Sequence, residues 1–257
     1  MMRLDKLFQN KQKNILSVFF TAGYPELWDT VKIITALEKY GADIVEIGMP
    51  FSDPIADGPV IQKSNQIALN NGMSIDLLFN QLKDIRKRVQ IPLILMGYLN
   101  PVLQFGFEKF CNKAAEVGID GLILPDLPLK EYQEKYKAII QSFNLHTIFL
   151  FSPKTSDERI QLIDNEGSGF NYFVSSSSTT GAKDSFSEEQ IQYFEKIKSL
   201  QLKNPKLIGF GISNNETFKT ACKYAHGAII GSAFIKSLEE NGILEDKIEK
   251  FVRCIIK

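Results

Sequence analysis

The chain has 257 residues, of which 44% are hydrophobic and 11% aromatic, which is enough to bury a sizeable core. Lys plus Arg and Asp plus Glu both number 30, without a long block of one sign, which argues against nucleic acid or an anionic membrane as a partner. The three cysteines lack CxxC spacing, which argues against a disulfide framework and a structural zinc. No apolar run approaches a membrane span and no signal peptide is recognisable, so we expect a soluble cytoplasmic protein.

Strands and helices are predicted to alternate along the whole chain. The predicted strands cover 15–21, 43–49, 92–96, 121–124, 146–151, 171–174, 206–210 and 226–230. The predicted helices cover 26–40, 59–70, 74–88, 102–116, 130–143, a segment from a capping box at 155–158 to 165, segments opening at 187 and 213, and 244–256. This alternation continues without a linker. It therefore predicts one (β/α)8 TIM barrel with extra helices, a single domain over 1–257, in preference to a doubly wound open sheet.

An acidic residue stands inside the second predicted strand. Alternation places Glu46 on the same face as Ile44 and Gly48, in apolar surroundings. A carboxylate is costly there unless it is paired, hydrogen-bonded or neutral. Glu46 is therefore a candidate for proton transfer, and a satisfied structural ion is the alternative.

The loop that follows this strand carries two further acids on a stiff frame. Three prolines within 50–59 restrict φ, so the loop has little conformational freedom. Asp57 is a candidate functional acid, and the alternative is that it caps the helix opening at Pro59. Asp53 precedes a proline and is more typical of a turn.

Glycines follow the seventh and eighth predicted strands, in 209–213 and 231–232. Either loop alone is compatible with a tight turn. Together they predict a phosphate site, because barrels of this kind bind phosphate between these loops through backbone N–H groups and a helix N-terminus. The serine-rich loop 175–184 lies inside the barrel pattern, so we expect a lid there, and Gly181 is a candidate further donor to the phosphate.

Other polar residues give weaker signals. His146 and His226 lack metal-ligand spacing, so no metal is expected. Lys154 follows the fifth strand, but its polar neighbours give no sign of the desolvation that a Schiff-base lysine needs.

Several motifs together resemble one family. The segment 46–62, EIGMPFSDPIADGPVIQ, closely resembles the signature of the tryptophan synthase alpha subunit, and 209–213 with 231–232 resembles its phosphate site. The motifs at 21–25, 98–101, 125–128 and 180–181 also fall in the family's order, so the resemblance spans essentially the whole chain. It implies a (β/α)8 lyase of L-tryptophan biosynthesis that cleaves indole-3-glycerol phosphate into indole and glyceraldehyde 3-phosphate. It also implies an α2β2 heterotetramer in which only the beta subunit carries a cofactor, pyridoxal phosphate.

The resemblance also assigns roles by position. It implies that Glu46 is the general acid and base and that Asp57 stabilises the charged indolenine through its ring nitrogen. The phosphate would be bound by Gly181, Gly211, Gly231 and Ser232, and the indole pocket and lid would contain Phe19, Ile61, Tyr98, Leu124, Tyr172 and Thr180. Core packing is the alternative for each pocket residue.

Prolines crowd the loops after strands two to four, which suits a docking face for the partner subunit. The interface expected from the resemblance contains Pro50, Pro54, Asn100, Pro101, Asp126 and Pro128. Loops that are rigid only for the active site are the alternative. Ser176 and Ser178 replace an arginine and a glycine of the family's lid, so communication with the partner is expected to differ.

Two other functions are compatible with the residues. One is a different phosphate-binding barrel, such as an isomerase or synthase of a phosphorylated sugar. The other is a catalytically silent subunit that binds ligand and activates a partner.

Overall fold

The computed structural model describes residues 1–175 and 186–257. Its strands are β1 (Ile15–Thr21), β2 (Ile44–Gly48), β3 (Leu93–Met96), β4 (Gly121–Ile123), β5 (His146–Ile148), β6 (Leu150–Phe151), β7 (Asn171–Val174), β8 (Lys206–Gly209) and β9 (Gly227–Ile230). They form one sheet in the order β5-β4-β3-β2-β1-β9-β8-β7-β6, with parallel pairings.

This sheet closes into a barrel. Its two terminal strands, β5 and β6, are consecutive in the chain and are separated only by Phe149. They replace the single fifth strand predicted at 146–151: β5 pairs with β4, and β6 pairs with β7. The nine strands therefore occupy eight positions of a closed parallel barrel, and the predicted TIM-barrel fold is confirmed.

The helices surround this barrel. They are α1 (Arg3–Asn10), α2 (Thr30–Tyr40), α3 (Pro59–Asn70), α4 (Ile75–Leu82), α5 (Leu99–Phe105), α6 (Phe107–Val117), α7 (Leu129–Glu131), α8 (Lys137–Ser142), α9 (Asp157–Glu166), α10 (Glu188–Ser199), α11 (Asn215–Cys222), α12 (Ser232–Leu238) and α13 (Leu244–Ile256). A 3₁₀ turn at Ile85–Lys87 follows α4, and a π-helical turn at Tyr132–Tyr136 joins α7 to α8.

Several predicted helix bounds were wrong. The helix predicted at 102–116 is two helices, because Gly106 adopts φ +94° between them, and Pro101 is tolerated in the first turn of α5. The helix predicted at 74–88 ends at Leu82, and the one predicted at 26–40 begins at Thr30. The capping box predicted at 155–158 was wrong in detail. The N-cap of α9 is Ser156, whose hydroxyl accepts a hydrogen bond from the amide of Arg159.

The sequence did not reveal α1, which covers the end of the barrel where the strands begin. Leu4 and Phe8 lie one helical turn apart and join the cluster inside the barrel, where their neighbours include Ile15 and Ile44. A larger apolar cluster fills the space between the barrel and the outer helices. The end where the strands finish is therefore the end at which a cleft opens.

Candidate active site

The predicted alternation in β2 is present in the structure. Ile44 belongs to the cluster inside the barrel, whereas Val45 and Ile47 pack outward against the helices. Glu46 consequently points inward and is fully buried. Its Oε1 accepts a hydrogen bond of 2.7 Å from the hydroxyl of Ser17, and its Oε2 has no hydrogen-bond partner among the described residues. Burial raises the pKa of Glu46 to about 7, against the opposing effect of the Ser17 hydrogen bond.

Asp57 is held by a tyrosine. Its Oδ2 accepts a hydrogen bond of 3.2 Å from the hydroxyl of Tyr98. The N-cap of α3 is Gly58, and no side chain caps this helix, so the capping alternative for Asp57 is not the observed arrangement. Burial raises the pKa of Asp57 to about 6, and the bond from Tyr98 lowers it in part.

A cleft of roughly 700 Å³, partly open to solvent, lies where the strands end. Its wall contains Phe19, Asp57, Gly58, Ile61, Met96, Tyr172, Phe210, Gly211, Ile212, Ile229, Gly231, Ser232 and Ala233. A smaller adjoining compartment of roughly 450 Å³ shares Phe19, Asp57 and Ile61, and it is closed on one side by Tyr98 and Leu150. Most of the wall is apolar, which suits an aromatic ligand. Glu46 does not form part of either wall.

Tyr172 connects the two acids electrostatically. Its phenol is deeply buried, and burial together with the negative charges of Glu46 and Asp57 raises its pKa well above the usual value. A Cβ on Gly209 would lie 2.5 Å from the hydroxyl oxygen of Tyr172, so only glycine at 209 leaves room for this ring. Tyr172 therefore remains a neutral residue of the cleft wall.

Two of the glycines predicted to bind phosphate, Gly211 and Gly231, line the larger compartment of the cleft. Phe210 and Gly211 adopt φ of +67° and +72°, which turns the loop after β8 sharply. Gly231 ends the loop after β9, and Ser232 begins α12. Since no Lys or Arg is among the wall residues in the part of the chain described, an anion here would be bound by backbone N–H groups.

One described residue of the predicted pocket, Leu124, is absent from both walls. It follows Ile123, the last residue of β4, whose side chain faces the interior of the barrel. Thr180 and Gly181 lie outside the described residues, as do Ser176 and Ser178.

The structure also adds wall residues that the sequence analysis missed, including Met96, Leu150, Phe210 and Ile212. Phe210 and Ile212 alternate with the glycines 209 and 211 at the end of a strand. Their position in this glycine loop could have indicated that they line the cleft. Ser17, the partner of Glu46, was also missed; the available signal was a polar residue within a mostly apolar strand.

The predicted partner-interface residues lie on loops and in the first turn of α5, at the cleft end of the barrel. Asn100, Asp126 and Pro128 are exposed, and Pro50 and Pro101 are half-buried. Pro54 is buried within its own chain, which excludes it as a contact residue, and the neighbouring Ile55 is 87% exposed instead.

Comparison with known proteins identifies the family. A sequence model described as "Tryptophan synthase alpha chain" matches residues 5–256. The tryptophan synthase alpha chain of Flavobacterium johnsoniae is 58% identical over 97% of this chain and 98% of its own length. That of Phocaeicola vulgatus is 53% identical over 99% of both chains.

The chain belongs to the tryptophan synthase alpha chain family.

Solved structures agree with this assignment to the tryptophan synthase alpha chain family. The alpha chain from Legionella pneumophila superposes with a TM-score of 0.88 at 34% identity, over 99% of this chain and 96% of that one. A chain of tryptophan synthase from M. tuberculosis, in an aminoacrylate-bound form, has a TM-score of 0.85 at 28% identity over 99% of this chain and 100% of that one.

Membership of the tryptophan synthase alpha chain family confirms the expected activity. The chain is a carbon–carbon lyase of tryptophan biosynthesis that cleaves indole-3-glycerol phosphate, and the alpha chain pairs with a beta subunit. Within residues 1–175 and 186–257, no helix is both long enough and apolar enough to cross a bilayer.

Proposed function

We propose that Glu46 and Asp57 carry out the cleavage of indole-3-glycerol phosphate in the cleft, where Asp57 forms part of the wall and Glu46 lies beneath it. The observation that supports this most directly is that two carboxyl groups with raised pKa accompany one apolar cleft that the glycine loops also line. The apolar wall suits the indole ring, and the glycine loops suit the phosphate.

Glu46 is the proton-transfer group in this proposal. Cleavage adds a proton to C3 of the indole ring, which leaves positive charge at N1. The glycerol hydroxyl then loses its proton and becomes the aldehyde, and the electrons of the broken C–C bond neutralise the ring. A carboxyl with a pKa of about 7 is present in both protonation states near neutral pH, so it can donate one proton and accept the other.

Asp57 is the electrostatic group. With a pKa of about 6 it is mostly ionised at pH 7, so its negative charge is available to stabilise the positive charge at N1. The hydroxyl of Tyr98 favours this ionised form by donating to Oδ2. Different surroundings thus give two carboxyl groups different tasks.

The phosphate is assigned to the loops after β8 and β9. Gly211, Gly231 and Ser232 line the larger compartment and not the smaller one, and the first amides of α12 have no partner within the helix. Gly181 and Thr180 remain predicted contributors from the lid.

For the assembly, we propose an α2β2 heterotetramer whose beta subunit carries pyridoxal phosphate, while the alpha chain has no cofactor of its own. The docking face is assigned to Pro50, Asn100, Pro101, Asp126 and Pro128, with Ile55 as an exposed apolar contact. A single domain over 1–257 and a cytoplasmic location remain predictions.

The experiment measures indole released from indole-3-glycerol phosphate by wild type, Glu46→Gln and Asp57→Asn, each with and without the beta subunit. Loss of a positioned proton-transfer group should lower kcat by about 10² to 10⁴. Asp84→Asn, which changes an exposed carboxylate outside the cleft, is the control and should retain activity. Equal turnover by wild type and Glu46→Gln would show that the role assigned to Glu46 is wrong.

A further inference from the structure

Ser17 is a polar residue on the inner face of β1. It is fully buried and precedes Phe19 by two positions, so both side chains point into the barrel. Phe19 lies nearer the carboxyl end of the strand and forms part of the cleft wall. Ser17 lies one layer nearer the start of the strand and is absent from the wall.

The strand register shows which way the Glu46 side chain extends. Phe19 is the Cα partner of Glu46, and Ser17 is the partner of Ile44. Because Oε1 of Glu46 is 2.7 Å from Oγ of Ser17, the carboxyl extends toward the start of the strands and away from the mouth of the cleft. This direction explains why Glu46 borders the cleft without forming its wall.

No second described residue fixes this orientation. Oε2 of Glu46 has no hydrogen-bond partner in the described part of the chain, and the surrounding layer consists largely of apolar side chains such as Ile15, Ile44 and Ile229. A hydroxyl that donates to a buried carboxylate replaces part of the lost hydration and prefers one direction. Ser17 thus supplies the one directional contact to the carboxyl that the described residues contain.

We propose that Ser17 is a positioning residue for Glu46, whose carboxyl it holds in a defined orientation beneath the indole cleft. This inference rests on the acid and base role proposed for Glu46. Ser17 itself does not reach the cleft, so it acts only through the carboxyl it binds.

The hydrogen bond from Ser17 also affects the ionisation of Glu46. A donated hydrogen bond favours the charged carboxylate, and the bond from Ser17 lowers the pKa of Glu46 against the effect of burial. Removing the hydroxyl should therefore raise the pKa of Glu46 further. A hydrogen bond to a charged group corresponds to a change of about tenfold to a hundredfold in the ionisation constant.

The test compares Ser17→Ala with Ser17→Thr, which keeps a hydroxyl, in the full-length chain. The ionisation of Glu46 is followed by difference infrared spectroscopy of its carboxyl group, with Glu46→Gln identifying the band, and kcat is measured across the same pH range. Ser17→Cys keeps a side chain of similar size with a weaker donor, and it serves the same comparison if Ser17→Ala does not fold.

A matched control is available at Ser64. Its hydroxyl is also buried and lies 2.7 Å from that of Thr21, but it does not contact Glu46. Ser64→Ala should lose stability without moving the titration midpoint of Glu46. Ser17→Ala should move this midpoint upward and shift the corresponding limb of the kcat profile, and Ser17→Thr should restore both.

A midpoint in Ser17→Ala that equals that of wild type would overturn the inference, and so would an equal shift in Ser64→Ala. Failure of the proposed function is a separate result, namely full activity of Glu46→Gln. The infrared midpoint still reports on Ser17 in that case, because it does not depend on turnover.

Discussion

The hydroxyl of Tyr98 joins the loop after β2, which carries Asp57, to the loop after β3: it donates to Oδ2 of Asp57 at 3.2 Å and accepts from the amide of Ala56 at 3.0 Å. The Tyr98 side chain thereby orders the loop after β2 and stabilises the charged form of Asp57. The pKa of Tyr98 is raised mainly by burial, and the charge of Asp57 is the second cause.

Tyr98→Phe should therefore lower kcat by about tenfold to a hundredfold, because the carboxylate loses a charge-assisted hydrogen bond. The pKa of Asp57 should rise, so its limb in the pH profile of kcat should move to higher pH. Tyr193→Phe is the matched control, since its hydroxyl is buried without a hydrogen-bond partner among the described residues. Coincident pH profiles for Tyr98→Phe and wild type would contradict the prediction.

The buried carboxyl of Glu46 should reduce stability at neutral and alkaline pH. Its pKa is about 7 in the folded chain against 4.5 for an ordinary glutamate, so the folded state binds more protons between these values. The contribution of Glu46 to the free energy of unfolding is therefore most favourable below pH 4.5, and it is lost as pH rises through 7. At about 1.4 kcal/mol per pKa unit, the loss is about 3 kcal/mol.

Glu46→Gln removes this titration, so its free energy of unfolding should exceed that of wild type by about 3 kcal/mol at pH 8 and by much less at pH 5. Urea unfolding at both pH values measures the difference. Asp57→Asn should show an effect of the same sign and similar size, because the pKa of Asp57 is raised from 3.8 to about 6. A constant difference between Glu46→Gln and wild type at all pH values would contradict this account.

Gly211→Ala should weaken binding of the substrate phosphate. The residue has φ +72°, and an added Cβ would lie 3.4 Å from Oγ of Ser175, so the strain comes from the backbone and not from a severe clash. The left-handed conformation costs roughly 1–2 kcal/mol for a residue with a Cβ. We expect a rise of about tenfold in KM and a parallel loss of inhibition by inorganic phosphate.

Gly72→Ala is the control for this experiment. Gly72 also has positive φ, at +94°, and an added Cβ would meet nothing within 4 Å. It does not line the cleft, so its substitution should cost stability and leave KM unchanged. Equal KM values for Gly211→Ala and wild type would argue against a phosphate at this loop.

Gly227→Ala should disrupt the pairing of β1 with β9. An added Cβ would lie 2.0 Å from the carbonyl oxygen of Ile15, which is backbone and cannot move without opening the barrel. The variant should lose more than about 3 kcal/mol of unfolding free energy or fail to fold. Gly242→Ala, with open space around its Cβ, is the control for urea unfolding, and equal stability of the two variants would contradict the prediction.

The sequence determined those features that depend on local pattern. The bounds predicted for β1, α3 and α13 agree with the structure, because apolar periodicity and a helix-opening proline define them within a single element. Alternation also placed Glu46 inside the barrel correctly. The motifs around 46–62 were sufficient to identify the family.

Only the tertiary structure decided which residues meet. Ser17 and Glu46 are 29 positions apart and Tyr98 and Asp57 are 41 apart, so each bond depends on the register of neighbouring strands and the path of a loop. The observed strand β4 ends at Ile123, whose side chain faces the interior of the barrel, and Leu124, which follows it, is absent from the cleft wall. The closure of the barrel at Phe149 has the same origin: it results from pairing between distant strands, which local sequence does not encode.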